Sequence, residues 1–234
     1  MTPIQQLMLG VGASKKTYLD DVFSTYLYDG NSTTLSVNSG VDNTKGGMIW
    51  FKARSESERH LLFDTERGTS NYIESNSTAA QTSGGAALTS FDNDGYTLGA
   101  SAYQNNSGRT YTSWNFRKAK GFFDIVTYTG TGTSTNSDGH LDINHSLASV
   151  PGMVIVKSTS GTSNWWVYHR GLATNNSKAV FLQSPSAAAS HSSYWNGTAP
   201  TASQFTVGEW LNTSGSTYVA YVFAGGESTA ATAR

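Results

Sequence analysis

The sequence predicts an all-β protein of two tandem, duplicated β-sandwich-like domains (jelly-roll or lectin-like), preceded by a short N-terminal helical anchor. Three observations predict it. Ser and Thr supply 61 of the 234 residues and Gly another 24, and hydroxyl side chains compete with the backbone inside helices. Apolar, β-branched or aromatic runs of four to seven residues alternate with polar Gly/Ser/Asn stretches, the spacing of sandwiches and barrels. The third is repetition. Pro151-Gly152-Met153-Val154-Ile155-Val156, closed by Lys157, has a twin 105 positions upstream in Gly46-Gly47-Met48-Ile49-Trp50-Phe51-Lys52. Each run is apolar without alternation, which marks a strand buried on both faces.

The surroundings repeat in the same order. Leu61-Leu62-Phe63-Asp64, then Arg67-Gly68, answer Trp166-Val167-Tyr168-His169, then Arg170-Gly171. Tyr72-Ile73-Glu74-Ser75 answer Phe181-Leu182-Gln183-Ser184, and small-residue segments at 77–80 and 186–189 follow. Gly95-Tyr96-Thr97-Leu98-Gly99 answer Gln204-Phe205-Thr206-Val207-Gly208. Tyr111, Trp114 and Phe116 answer Tyr218, Tyr221 and Phe223.

Taken in order, residues 1–21 form the anchor segment. Thr2-Pro3 followed by Ile4, Leu7 and Met8 fits a capped helix start with apolar residues on one face, and Gly10 ends it. So short a helix is marginal alone, so its face, with Leu9, docks on the first repeat or seats as a plug in another protein. Repeat 1 spans 22–116. It opens with a strand placing Phe23, Thr25 and Leu27 on one face before an Asp29-Gly30 turn. Residues 117–121, with Arg117, Lys118 and Lys120, read as a short solvated linker. Repeat 2 spans 122–223, opening on a β-rich stretch at 124–129 and closing on one at 217–223. Residues 224–234 are small, polar and patternless, a C-terminal linker.

Composition excludes several classes. A net charge of −1 argues against a nucleic-acid binder that neutralises phosphates. Cysteine is absent, so disulfides and thiolate zinc sites are excluded. No run approaches the 18 apolar residues of a membrane-spanning helix.

No motif points to catalysis. There is no Gly-x-Ser-x-Gly and no phosphate-cradling Gly-x-x-x-x-Gly-Lys. Neither repeat shows the paired carboxylates of a glycosidase; Asp124 and Asp142 are among the few acids of repeat 2. Asp138, His140, Asp142 and His145 form the one ligand-like cluster. In a strand, however, His145 would point away from His140 and Asp142, so the cluster reads as a polar loop rather than a metal site. The expectation is therefore no enzyme, no cofactor, and no catalytic or metal-binding residue. Asp64, Glu66 and Arg67 read as solvated ion pairs or an interface rim. Trp165, Trp166, Tyr194, Trp195 and Trp210 concentrate in repeat 2. Alternation turns one of Trp165 and Trp166 away from its own core unless a second layer covers it, so these five are candidates for an interface or for stacking on a glycan.

The N-terminal Gln5-Gln6-Leu7-Met8-Leu9-Gly10 with Asp20-Asp21-Val22-Phe23-Ser24-Thr25-Tyr26-Leu27-Tyr28 resembles the start of tail-fibre-like virion proteins of marine tailed phages of the cyanophage type. The repeats are similar to a domain found in tandem in those proteins. His145-x-Leu147 leading to Pro151-x-Met153-Val154-Ile155-Val156-Lys157, and Tyr194-Trp195-Asn196-Gly197-Thr198-Ala199-Pro200-Thr201, carry the likeness. Repeat 1 departs from it at Asn38-Ser39-Gly40 and Gly46-Gly47. The resemblance implies a structural virion protein located on the phage tail and made in the host cytoplasm, a tail-fibre or tail-spike component supporting host attachment. It implies an anchor at Ile4, Leu7, Met8 and Leu9 that meets other virion proteins (a tail adaptor or nozzle), assembly as a homotrimer, and contact with a host surface glycan. Alternatives are a capsid-decorating or head-fibre protein, or a carbohydrate-binding module. No nucleic acid or membrane is implied as a partner.

Overall fold

The computed structural model describes residues 17–84, 88–132, 140–172, 176–226 and 231–232, and it is all-β. β1 (Thr17–Tyr18) leads through a helical turn at Leu19–Val22 into β2 (Phe23–Asp29), β3 (Leu35–Asn38), β4 (Gly47–Ala53), β5 (His60–Asp64) and β6 (Asn71–Glu74). β7 (Thr82–Ser83), β8 (Leu88–Asp92), β9 (Gly95–Leu98) and β10 (Thr110–Arg117) complete the first half. The second half comprises β11 (Phe123–Thr129), β12 (Leu141–Asn144), β13 (Pro151–Ser158), β14 (Trp165–His169), β15 (Lys178–Phe181), β16 (Ala189–Ser190), a helical turn at Ser192–Trp195, β17 (Gln204–Val207) and β18 (Thr217–Ala224). Finally β19 (Ala231–Thr232) pairs in parallel with β1, where the sequence suggests a patternless linker. The anchor residues Ile4, Leu7, Met8 and Leu9 lie outside the described residues.

Among the described residues the strands form two six-stranded sheets, ordered β2-β10-β4-β5-β6-β7 and β11-β18-β13-β14-β15-β16. Smaller sheets, β3-β9-β8 and β12-β17, lie with the first and second large sheet respectively. The large sheets share a strand order and a register. Trp114 stands opposite Trp50, and Trp50 opposite Leu62, as Tyr221 stands opposite Ile155 and Ile155 opposite Val167. Leu62 pairs with Ile73 and Val167 with Val180. The counterpart of Tyr72-Ile73-Glu74 is therefore Ala179-Val180-Phe181, two residues earlier than the apolar pattern suggests. Each half also has a stacked tyrosine pair joining its first and last long strands, Tyr28 on Tyr111 (5.2 Å) and Tyr128 on Tyr218 (4.9 Å). Beside them Gly30 and Gly130 admit no side chain, since a Cβ would lie 2.2 Å from the carbonyl oxygen of Asn106 or Thr213.

Alternation along the central strands sends neighbouring side chains to opposite faces. Ile49 and Phe51, with Leu61, Phe63 and Tyr111, pack against Val37, Leu88, Tyr96 and Leu98 of the first small sheet. Val154, Val156, Trp166, Tyr168 and Val222 likewise pack against Ile143, Phe205 and Val207 of the second. The remaining faces meet each other. Met48, Leu62 and Ile73 from the first half form one buried core with Phe123, Ile125, Ile155, Trp165, Val167, Val219 and Tyr221 from the second. The order of layers is small sheet, large sheet, large sheet, small sheet. Each large sheet thus takes the cover of its second face from the other half rather than from its own small sheet.

The connection between halves is also fastened. Arg117 ends β10, Ala119 bridges to Phe123, and Gly121 N donates to Leu147 O at 2.6 Å. Lys118 is ion-paired with Glu66 at 2.8 Å and Asp124 at 3.2 Å. The reading of a solvated linker is corrected for Lys118, whereas Lys120 is exposed.

A shared core couples the halves. Ile155→Ala removes buried surface from that core and leaves a cavity, costing about 2–5 kcal/mol. In hydrogen–deuterium exchange the variant is expected to lose protection in β4, β5 and β6 as well as in β13, whereas undiminished protection of the first half would show that the halves fold separately.

Candidate functional site

Where the halves meet, an ion pair is buried. Asp64 ends β5, and its Oδ1 accepts from the backbone N of Glu66 (3.1 Å) and of Arg67 (2.9 Å), which turns the chain back toward the sheet. Its Oδ2 accepts from Arg67 Nε (2.6 Å) and from Tyr221 OH (2.8 Å), reaching across the shared core. Arg67 spends its other donors on Leu62 O (3.1 Å), Tyr221 OH (3.2 Å) and Gln81 Oε1 (3.2 Å). The pair's side chains are 0% and 5% exposed. Burial opposes the guanidinium's charge, yet Tyr221 and Asp64 beside it hold its pKa above the ordinary value. Burial also pushes the Tyr221 phenol well up, so it remains a donor. The expectation of solvated pairs or a rim is corrected for Asp64 and Arg67, which lie inside the interface. Above them opens a polar cleft of about 580 Å³ whose walls include Arg67, Asn71 and Gln81 from one half and Thr129, Thr159 and Tyr218 from the other.

A second polar contact crosses the interface. Trp165 Nε1 donates to the carbonyls of Glu74 (2.9 Å) and Ser77 (3.0 Å). Lys157, fully buried, donates to Thr78 O (3.3 Å) and Ser158 O (2.9 Å). Burial pushes its pKa down to about 8.

The structure separates the aromatic candidates. Trp165 belongs to the core between the halves, and Trp166, Tyr194 and Trp195 to the core under the second small sheet. The Trp195 indole is also used, donating to Lys178 O at 3.1 Å. Burial removes these four from glycan stacking and from contact with another subunit, a correction whose cause is the second layer over β14 and the helical turn at Ser192–Trp195. Trp210 alone of the five is exposed, at 48%. It lies nearly parallel to His191 (4.9 Å, 20°) and is braced by Tyr194 (5.4 Å) and Trp166 (5.8 Å).

The reading of a polar loop is corrected, since Asp142 lies in β12, paired with β17, and the cluster's side chains are spread out. His140 Nδ1 contacts Asn196 Nδ2 at 3.0 Å, Asp142 Oδ1 accepts from Thr206 Oγ1 at 2.7 Å, and His145 Nδ1 accepts from Leu147 N at 3.3 Å; Asp138 lies outside the described residues. Burial lowers the His145 pKa. Asp124 accepts from Ile125 N (2.9 Å) and Ser146 N (2.6 Å) and pairs with Lys118, so its carboxylate is occupied by structure. Among the described residues no three His or carboxylate groups are placed to hold a metal ion, and no helix is long and apolar enough to cross a membrane.

One surface has no counterpart in the sequence reading. On the first large sheet, Trp50, His60, Trp114 and Phe116 line an apolar groove of about 250 Å³. The Trp50 and Trp114 rings meet edge to face at 5.8 Å, and Trp50 Nε1 donates to His60 Nδ1 at 3.3 Å. Burial, then the charge of Lys52, keeps the His60 pKa low. Pairing on the sheet puts these residues on one face, a relation visible only once the register is known.

The family described as a domain of unknown function (DUF7483) matches residues 19–230, and the chain belongs to that family. The match spans both large sheets. No curated protein and no solved structure matches the chain.

Two measurements probe the polar contacts. Asp64→Ala leaves the Arg67 charge buried without its partner and should cost about 3–5 kcal/mol in chemical denaturation, against about 1–3 kcal/mol for Tyr221→Phe. For Lys157 the sign follows from its lowered pKa. Below pH 8 the ammonium is charged in both states and the burial penalty is complete. Between pH 8 and the unfolded value of about 10.4 the folded chain sheds its proton first, so stability rises with pH. Denaturation midpoints from pH 8 to about 9, a unit below the ordinary tyrosine value of about 10, should climb in the wild type and stay flatter in Lys157→Met; equal slopes would contradict the assignment.

Proposed function

We propose that this chain is a non-catalytic structural component of a phage virion, a tail-fibre or tail-spike part that supports host attachment. In this reading the two halves are duplicated sandwiches that have become one load-bearing body. The carrying observation is the shared core with its buried Asp64–Arg67–Tyr221 contact, which ties two sandwiches together where a flexible string of modules would leave them free. The shared strand order, register and stacked tyrosine pairs support the duplication. The resemblance of the N-terminal stretch and of residues 145–157 to marine phage fibre proteins supports the virion setting, with Ile4, Leu7, Met8 and Leu9 as the anchor that meets a tail adaptor or nozzle protein.

Trp210 favours a second, compatible reading as a carbohydrate-binding surface. A sugar ring presents an apolar face to an indole, and Trp210 is exposed while His191, Tyr194 and Trp166 hold its ring in place.

Immunogold electron microscopy of purified particles of the encoding phage, using antibody against the purified chain, should label the tail. Label on the head would replace the tail-fibre reading with the capsid-decorating one, and unlabelled particles would overturn both. On a host-glycan array, any signal should disappear in Trp210→Ala with folding intact; a signal that survives would rule out Trp210 as the platform.

A further inference from the structure

The contact between the halves is lopsided. By register, His60, Trp50 and Trp114 of the first sheet stand where Trp165, Ile155 and Tyr221 stand in the second. The second-half trio is buried beneath the first half. Trp165 is capped by the carbonyls of Glu74 and Ser77, in and beside the connection from β6 to β7, and Tyr221 by Asp64 and Arg67. The first-half trio lines the open groove instead. A two-fold contact would pair each surface with its own equivalent and leave neither open; this contact is heterologous.

The matching free part is on the second half. The connection from β15 to β16, residues 182–188, is equal in length to residues 75–81 between β6 and β7. It is folded into the same turn: Ser184 N donates to Phe181 O (3.1 Å) as Ser77 N donates to Glu74 O (3.2 Å). Ser186 N donates to Ser184 Oγ (3.2 Å) as Ala79 N donates to Ser77 Oγ (3.1 Å). The burial differs. Ser75 is buried and Thr78 half-buried, whereas their counterparts Leu182 and Pro185 are exposed.

We infer that the Trp50–His60–Trp114 groove is a docking site for a second copy of this chain, whose 182–188 connection seats there as residues 75–81 seat on Trp165. The groove is continuous with the interface already formed, because Trp50 and Phe116 pack against the shared core. Leu182 is 38% exposed, apolar surface now facing water, and Thr25, exposed opposite Trp114, stands where Ile125 is buried in the shared core. His60 supplies a donor where Trp165 does. Its Nδ1 accepts from the Trp50 indole, which leaves Nε2 to carry the proton in the neutral ring and to donate to the carbonyl of Phe181 or Ser184. The resulting assembly is head-to-tail, closing into a ring or extending as a fibre. The inference rests on the duplication argued above but not on a virion setting, so its test fails independently of where the chain sits on a particle.

The test is sedimentation velocity on the intact chain, on Thr25→Glu beside the groove, on Leu182→Glu at the connection, and on an equimolar mixture of the two variants. The wild type should associate with rising concentration and each variant alone should sediment as a monomer. The mixture should form a dimer and stop there, because one variant keeps an intact connection and the other an intact groove. A wild type that stays monomeric up to its solubility limit, including one that binds a soluble oligosaccharide in the groove as a monomer, overturns the inference. So does a Leu182→Glu variant that still self-associates while Thr25→Glu does not, the signature of a groove-to-groove contact. Circular dichroism matching the wild type confirms that both variants are folded.

Discussion

A sheet whose central strands are apolar on both faces must be covered twice, and that constraint organises this protein. Met48, Ile49, Trp50 and Phe51 run without a polar break, as do Met153, Val154, Ile155 and Val156. The three strands β3, β9 and β8, or the pair β12 and β17, cover one face of a large sheet. Another surface of comparable breadth is needed for the other face, and in this chain it is the second large sheet. The outcome exceeds the two or three layers that usually surround one core, and it has a simple cause: the inner layers each serve two cores. Trp165 makes the dependence concrete. On an isolated second half its indole would face water, and here its N–H is satisfied by carbonyls from the first half.

Apolar packing is non-directional and does not by itself stop two sheets from sliding. The polar groups buried in this interface supply direction. Asp64, Arg67 and Tyr221 satisfy one another in a single relative placement of the sheets, as Trp165 and Lys157 do against the connection from β6 to β7. Such groups are costly to bury and add little net stability compared with apolar replacements, so their presence is better explained by alignment than by strength. Lys157 is the clearest instance: its acceptors are carbonyls and a hydroxyl rather than a carboxylate, and its depressed pKa is the mark of the burial cost.

The all-β class and most strand positions were legible in the sequence, because runs such as 48–51 and 153–156 state their burial on both faces without reference to anything distant. What covers those faces was not legible. An unbroken apolar run does not say whether its second cover is the strand's own small sheet or another large one, and Trp165-Trp166 posed the same question without answering it. The correspondence of β6 with β15 differs by two residues from the apolar pattern because Tyr72-Ile73 and Phe181-Leu182 are equally apolar, and only pairing with Leu62 and Val167 decides it. Asp64 and Arg67 looked like surface charges since their partner Tyr221 is 157 positions from Asp64. Trp210 alone among the five aromatics of the sequence reading is exposed; its exposure follows from its place between Glu209 and Leu211 in a short turn, which composition does not reveal.

The two halves differ most where they correspond most closely. At matching register the second half has Ile125, Ile155, Trp165 and Tyr221, and the first half has Thr25, Trp50, His60 and Trp114. Side chains sealed permanently inside a chain gain from being wholly apolar, or from a single hydroxyl or indole donor whose partner is always present. A surface that must also tolerate water gains from the other set: a threonine on the edge strand, indoles with a polar edge, and an imidazole that accepts from a neighbouring indole when nothing else is at hand. The first-half set has that mixed character while keeping the breadth of the apolar one. The divergence therefore follows the division between a face covered within the molecule and its equivalent that is left open.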